Sequence, residues 1–266
     1  MEDGKNNISP HRKTGLIILI VFLASFFIYY SVLMVLSPVR KMAAIKEEFG
    51  YKESDKKKVD ERVFSDSSYL ALHKEKSFLQ SRLIMAESDS IYLTISLPDS
   101  IVNIEISGVS VHKAKMNSVK ASRIFRQGNQ QLILSMLATP FTVSNSLSTI
   151  RKEPVMIKTA PKDTSEFKPD VMPDTSLTEP VNYILEMTDG SRIYVSQMEN
   201  EDRDDRMSNF AFDMKYRLND IWRNLKDAVR FRVPEYHPYI KVKLPRDDAK
   251  IIYRAIPKYA QIGIYS

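Results

Sequence analysis

The longest apolar run of the chain lies near its N-terminus, from Gly15 to Leu36. These 22 residues include no charged residue and no proline. A helix rises 1.5 Å per residue, so the run is long enough to cross a hydrocarbon core of about 30 Å. It ends in the sequence LSPVR, which lacks the small-residue triplet of a signal-peptide cleavage site. The pattern predicts a transmembrane helix over residues 15–36 that is not cleaved.

A partial apolar stripe and then a strongly charged stretch follow this run. Lysine and arginine are mixed with aspartate and glutamate from Lys52 to Arg62, which is typical of a solvent-facing spacer. A looser apolar pattern resumes between Ser68 and Met85. Residues 37–87 are therefore predicted to form a helical, charged stalk.

Beyond residue 87 the apolar period changes from that of a helix to that of a strand. Apolar and polar residues alternate over 91–97 and again over 102–106, and Pro98-Asp99-Ser100 favours a turn between them. The apolar run LILSML at 132–137 is interpreted as another strand. A second hairpin is predicted over 183–195, around Thr188-Asp189-Gly190.

The clearest helical pattern covers Arg203 to Val229. Its apolar residues recur at spacings of three and four, and charged residues occupy the other side. The stripe consists of Met207, Phe210, Ala211, Met214, Leu218, Ile221, Trp222, Leu225 and Val229. We expect one face of this helix to be buried, with the single tryptophan as a core or helix-docking residue.

The remaining segments complete a domain over residues 88–266. Residues 240–244 alternate as a strand, Pro245 suits a first helical turn, and residues 262–265 give a last strand. Residues 159–180 contain four prolines and few apolar residues, so they form either a binding lid or a disordered surface excursion. The fold class is a single transmembrane helix plus a mainly β (α+β) extramembrane domain.

Composition and charge exclude several classes of function. The 39 basic and 33 acidic residues are interspersed, which argues against nucleic-acid binding despite a net charge of +6. The absence of cysteine excludes disulfides, thiolate catalysis and cysteine-based zinc sites. The four histidines lack ligand spacing and the chain has no glycine-rich phosphate loop. We expect no catalytic residues, no metal and no cofactor.

The charges that flank the apolar run give conflicting signals on orientation. The 14-residue tail holds three lysines and arginines, and the 20 residues after Leu36 hold five, which would favour a cytoplasmic domain. However, a short tail with Arg12-Lys13 at an uncleaved run is typical of a signal anchor, and long domains translocate largely regardless of charge. We predict a bacterial inner-membrane protein with residues 1–14 in the cytoplasm and its domain in the periplasm.

The closing sequence KVKLPRDDAKIIYRAIPKYAQIGIY resembles the end of the L,D-transpeptidase catalytic domain. In that family, a strand that carries Ser-His-Gly-Cys-x-Arg leads into a short helix and a last strand. The predicted hairpin at 91–111 is similar to the family's opening strands. In this register Lys241 stands where the nucleophilic cysteine would be, Tyr239 replaces the histidine and Lys243 replaces the arginine. The resemblance therefore implies a related fold without the enzyme's thiolate chemistry.

Three functions follow from these patterns. The first is a non-catalytic, membrane-anchored interaction subunit of a trans-envelope assembly, either a secretion apparatus or a cell-wall complex, which docks to other envelope proteins. The second is a peptidoglycan-binding module derived from an inactive L,D-transpeptidase, and the third is a cell-wall enzyme with an unrecognised site. The candidate partner-binding residues are Phe210, Trp222, Lys241 and Lys243.

Overall fold

A computed structural model of the chain describes residues 10–50, 67–152, 179–199 and 203–266. The chain forms two compact units. The first joins the N-terminal part up to Ala44 with Arg217–Tyr236, and the second joins Ile45–Tyr216 with His237–Ser266. Most of the predicted proline-rich segment, residues 159–178, lies outside the described residues, and so does the charged spacer at 52–62.

The long apolar helix predicted near the N-terminus is confirmed. Helix α1 covers Pro10–Phe49, so it continues through Pro38 and well beyond the apolar run. It ends where the amide of Gly50 donates to the carbonyl of Lys46 at 2.9 Å. Most apolar side chains between Leu16 and Leu36 are about half exposed or more. Among the described residues, α1 is the one helix long and apolar enough to cross a membrane.

The second unit is built around one mixed sheet, which confirms the predicted α+β character. Its elements in chain order are α2 (Ser67–Ala86), β1 (Ile91–Ser96), β2 (Ile101–Ile106), β3 (Val109–Lys115), β4 (Ser118–Ala121), α3 (Arg123–Gln127), α4 (Gln130–Leu137), β5 (Phe141–Ser148), β6 (Asn182–Met187), β7 (Arg192–Gln197), α5 (Arg203–Val229, in this unit up to Tyr216), β8 (Tyr239–Leu244), α6 (Arg246–Ala255) and β9 (Gln261–Tyr265).

Within the described residues the strand order is β3-β2-β1-β9-β5-β6-β7-β8-β4. Two neighbouring pairs, β1 with β9 and β7 with β8, are parallel, and the other pairs are antiparallel. The two edge strands β3 and β4 are separated along the chain only by Met116 and Asn117. The sheet must therefore curl until its edges approach each other. The amide of Asn117 bonds the carbonyl of Lys243 on β8 at 2.9 Å.

Both predicted hairpins and the closing strand, helix and strand are confirmed, but one predicted strand is wrong. Residues 130–137 form helix α4, in which Leu132, Leu134 and Leu137 are buried among other apolar residues. The side chain of Asn129 caps this helix by accepting a hydrogen bond from the amide of Leu132 at 3.3 Å. A short apolar run that is buried all round has the same pattern in a helix and in a strand, so periodicity could not distinguish them.

Helix α2 packs on the sheet and belongs to the second unit, so the prediction that its residues form part of a stalk is wrong. Its buried face consists of Ser77, Ser81 and Met85. A Cβ on Gly263 of β9 would lie 2.6 Å from the terminal methyl of Met85. Small residues on both elements therefore allow helix and strand to approach closely. A face made of two serines and one methionine gave little apolar signal in the sequence.

Candidate functional site

The second unit contains a groove of about 450 Å³ between one face of the sheet and the first half of α5. Strands β4, β6, β7 and β8 form its floor. The wall from α5 includes Arg206, Asn209 and Asp213. The strands that make the floor come from distant parts of the sequence, so the groove exists only in the folded unit.

Lysines from two adjacent strands converge on this floor. Strand β8 alternates, with Ile240, Val242 and Leu244 buried in the core and Lys241 and Lys243 in the groove. The pairing with β4 sets Lys120 directly opposite Lys241. Like charges directly opposite each other in a sheet destabilise it.

Among the described side chains that line the groove, basic residues outnumber acidic ones. Its lining includes four basic residues, Lys120, Arg206, Lys241 and Lys243, and one acidic residue, Asp213. An anionic ligand would relieve the repulsion between the paired lysines. The groove is therefore suited to carboxylate or other anionic groups.

Lys241 is held between two aromatic rings. Its Nζ lies 4.8 Å from the ring centroid of Tyr194 and 5.6 Å from that of Tyr239. The two rings meet edge to face, with their centroids 6.2 Å apart. Cation–π attraction of this kind holds an ammonium group in place. Lys241 is thus a cation packed against two tyrosines.

A polar cluster fastens α5 over the sheet beside this lysine. The hydroxyl of Tyr216 donates to Glu186 Oε1 at 2.6 Å, and Arg192 Nε lies 3.2 Å from the same oxygen. The guanidinium of Arg192 also stacks over the ring of Tyr216, 5.1 Å from its centroid. Burial and the hydrogen bond to Glu186 raise the pKa of Tyr216. These contacts fix the wall of the groove to its floor.

The prediction that the apolar face of α5 is buried is wrong. In the second unit the helix turns its polar side to the sheet, through Tyr216 and through Asn209, whose side chain accepts a hydrogen bond from Asn182. The apolar side points outward, and Phe210 is 64% exposed. Trp222, which lies in the first unit, is 68% exposed. The amphipathic pattern predicted the helix correctly, but it could not say which side would face the protein.

The four candidate residues are therefore distributed over three surfaces. Lys241 and Lys243 line the groove, Phe210 lies on the outer face of α5 in the same unit, and Trp222 belongs to the other unit. Sequence reasoning missed Lys120 and Arg206. No local signal marks Lys120, because only the long-range pairing of β4 with β8 places it beside Lys241.

Three histidines, His73, His112 and His237, have identified partners. His112 Nε2 lies 2.9 Å from Asp248 Oδ1, and His237 Nδ1 lies 2.8 Å from the carbonyl oxygen of Gly190. His73 stacks on Tyr69, and burial, with the nearby charge of Lys76, lowers its pKa. Within the described ranges, no cluster of acidic residues and histidines could hold a metal ion.

These features define a chain with one long apolar helix and an α+β unit that carries a basic groove. No protein-family model matches the chain, and neither does any curated protein or solved structure.

Proposed function

We propose that this chain is a membrane-anchored, non-catalytic interaction subunit of a bacterial trans-envelope assembly, such as a secretion apparatus or a cell-wall complex. Helix α1 spans the inner membrane, the N-terminal tail is cytoplasmic, and the α+β unit docks to other envelope proteins in the periplasm. The observation that carries this proposal is the uncovered apolar face on the part of α5 in the second unit.

This face is formed by Met207, Phe210 and Met214, which follow each other at helical spacing. All three are exposed, and two of them by more than 60%. Contiguous exposed apolar patches mark interaction sites in soluble domains. Burying such a side chain in an interface contributes about 1.5–3 kcal/mol. The polar side of the same helix is fixed to the sheet through Tyr216, so the apolar side is presented outward in a defined position.

The test is cross-linking and mass spectrometry on the full-length protein, purified from native membranes in mild detergent. We expect envelope proteins at a fixed ratio, and we expect Phe210→Glu to reduce their recovery. Ser208→Glu is a matched control, because it adds the same charge two residues away and outside the stripe. A bare monomer after cross-linking would reject the proposal.

The groove favours a second function, peptidoglycan binding. The stem peptides of the cell wall carry carboxylates, and the cross-strand pair Lys120 and Lys241, with Lys243 beside it, offers a matching set of cations.

Sedimentation of the detergent-solubilised protein with purified sacculi tests this second function. We expect the double variant Lys241→Glu and Lys243→Glu to sediment less than the wild type. The control is the double variant Lys115→Glu and Lys258→Glu, which changes two exposed lysines outside the groove. It should sediment as much as the wild type. No sedimentation of the wild-type protein would reject this alternative.

A further inference from the structure

The second half of α5, in the first unit, also leaves its apolar side uncovered. Leu218, Ile221, Trp222 and Val229 are each more than half exposed. Ile221 and Trp222 lie three and four residues after Leu218, and Val229 lies seven residues after Trp222, so all four share one side of the helix. In this half of the helix, Ala228 is the one buried residue. This exposed apolar surface is therefore available to an apolar partner.

Contacts with α1 show where this surface lies along the apolar helix. The hydroxyl of Tyr29 donates to the carbonyl of Ala228 at 3.3 Å, and the ring of Phe231 packs 5.9 Å from that of Tyr29. Further along, the hydroxyl of Ser37 donates to the carbonyl of Pro234 at 2.7 Å. Residues 228–234 thus follow α1 from Tyr29 outward to Ser37.

The depth of this contact follows from helix geometry. Tyr29 precedes Leu36, the last residue of the apolar run, by seven positions. At 1.5 Å per residue this is about 10 Å inside the apolar run. If α1 spans a bilayer, the C-terminal turn of α5 lies beside hydrocarbon and headgroups and cannot lie in water.

The turn that ends α5 holds an aromatic residue in a strained conformation. The amide of Phe231 donates to the carbonyl of Ala228, and the amide of Arg232 donates to that of Asp227. This is the Schellman pattern, whose left-handed position is usually glycine. Phe231 occupies it with φ of 56° and is 85% exposed. The phenyl ring contacts Tyr29 but stays largely exposed, so most of its apolar surface is left for a partner outside the protein.

The charges around this surface match an anionic lipid layer. Between 217 and 232 the chain carries five exposed basic residues and two acidic ones, a net charge of +3. The basic residues are Arg217, Arg223, Lys226, Arg230 and Arg232, and the acidic ones are Asp220 and Asp227. Basic residues beside an apolar stripe with a tryptophan are typical of helices that lie in the membrane interface.

We infer that residues 217–232 form a second membrane contact, an interfacial helix in the leaflet on the domain side. Phe231 and Trp222 are its apolar anchors, and the basic side chains reach the anionic headgroups. The occupant is the bilayer that holds α1. This inference rests on the proposed anchoring by α1 and adds the lipid surface as a partner of α5.

Trp222 is the single tryptophan of the chain, so its fluorescence reports on this surface alone. The experiment reconstitutes the full-length protein in vesicles of phosphatidylethanolamine and phosphatidylglycerol. We expect a blue-shifted emission, protection from acrylamide, and about twofold quenching when the lipids are brominated near the headgroup. These signals should persist when the protein is diluted with excess lipid.

Two variants sharpen the result. Leu218→Glu should reduce lipid quenching, whereas Asn219→Glu, which adds the same charge on the polar side, should not. Phe231→Gly should reduce lipid quenching without lowering the melting temperature in detergent, because glycine adopts the left-handed conformation freely. Loss of both quenching and folding in this variant would contradict the assignment of Phe231 as a lipid anchor.

The outcomes separate this inference from the proposed function. Protein that resists carbonate extraction but has Trp222 fully open to acrylamide overturns the inference and leaves the anchor intact. Protection that disappears on dilution with lipid overturns it in favour of a second copy of the chain. Release by carbonate overturns the anchoring by α1 and the inference with it.

Discussion

Glu105 carries a carboxylate into the interior of the second unit, where its side chain is 3% exposed. Arg82 Nε on α2 lies 2.8 Å from one oxygen, and the hydroxyl of Thr94 donates to the other at 2.8 Å. The guanidinium of Arg82 also donates to the carbonyl of Gly108 at 2.9 Å. The buried charge is therefore paired and hydrogen-bonded, and it ties α2 to the first hairpin.

Removing one member of this pair should destabilise the unit strongly. Arg82→Ala leaves Glu105 buried without its counter-ion, which should lower the free energy of unfolding by about 3 kcal/mol. Chemical denaturation of the detergent-solubilised protein measures this loss. Lys76→Ala, at an exposed position of the same helix, serves as the control and should change little. If the two variants were equally stable, the Arg82–Glu105 pair would make no net contribution to the free energy of unfolding.

Tyr183 is fully buried, with its ring 4.9 Å from that of Tyr253. Within the described residues its hydroxyl has no hydrogen-bond partner. Burial raises its pKa above the ordinary 10.0. In the unfolded chain the phenol ionises near pH 10, whereas in the folded state it stays protonated to higher pH. The stability linked to Tyr183 is thus complete below pH 10 and is lost as the pH rises above it.

Tyr183→Phe should therefore have two effects. At neutral pH it removes an unsatisfied buried hydroxyl and should raise the free energy of unfolding by about 1 kcal/mol. Above pH 10 the wild type should lose up to about 1.4 kcal/mol of unfolding free energy per pH unit through Tyr183, and the variant should not show this loss. Thermal melting at pH 8 and pH 11 measures both effects. A variant as alkali-sensitive as the wild type would mean that Tyr183 does not set this pH dependence.

At the scale of elements, the sequence predicted what local patterns encode. The alternation over 91–106 and the Asp189-Gly190 turn gave both hairpins correctly, because period and turn chemistry agree there. The prediction of a strand at 132–137 failed because a short, nearly continuous apolar run shows no period that separates strand from helix. The docking of α2 was missed because its buried face includes Ser77 and Ser81, which carry no apolar signal.

The close approach of α2 and β9 gives a prediction at this scale. Gly263→Ala should be tolerated, because the terminal methyl of Met85 can rotate away from the new Cβ. Gly263→Val also fills the space beside Ser81, whose Oγ lies 3.4 Å from the Cβ position. Overpacking of this kind should cost about 2 kcal/mol, measured by thermal melting.

The combination of Gly263→Val with Met85→Ala is the control for this prediction. Met85 is fully buried, so its truncation creates the space that the valine needs. Part of the lost stability should return in the double variant. If the destabilisations caused by Gly263→Val and Met85→Ala added up in the double variant, the contact with α2 would not be what restricts residue 263 to glycine.

At the scale of the whole molecule, the sequence identified the candidate site only in part. Lys241 and Lys243 were found because strand β8 alternates clearly. Lys120 and Arg206 were not found, because pairing between distant strands and the placement of α5 bring them to the groove. The outward apolar face of α5 was missed for a related reason. An amphipathic pattern predicts that a helix has an apolar and a polar side. It does not predict whether the apolar side, here with Trp222, contacts protein, lipid or water.

If α1 anchors the chain as proposed, the orientation of the chain in the membrane decides where all of these surfaces act. The flanking lysines and arginines, counted literally, favour a cytoplasmic domain, whereas the form of the anchor favours a periplasmic one. Because the chain has no cysteine, a single cysteine can be introduced at any position without removing others. Lys258 is exposed on the second unit, and Lys5 lies in the N-terminal tail.

We expect Lys258→Cys to react with a membrane-impermeant maleimide in cells whose outer membrane alone is permeabilised. Lys5→Cys should react only after the inner membrane is opened, because the proposed orientation keeps the short tail in the cytoplasm and translocates the long domain. The reverse pattern would place the basic groove in the cytoplasm, away from the cell wall, and would reject both periplasmic functions. The contact of α5 with lipid would survive that result, because the anionic cytoplasmic leaflet attracts the same basic residues.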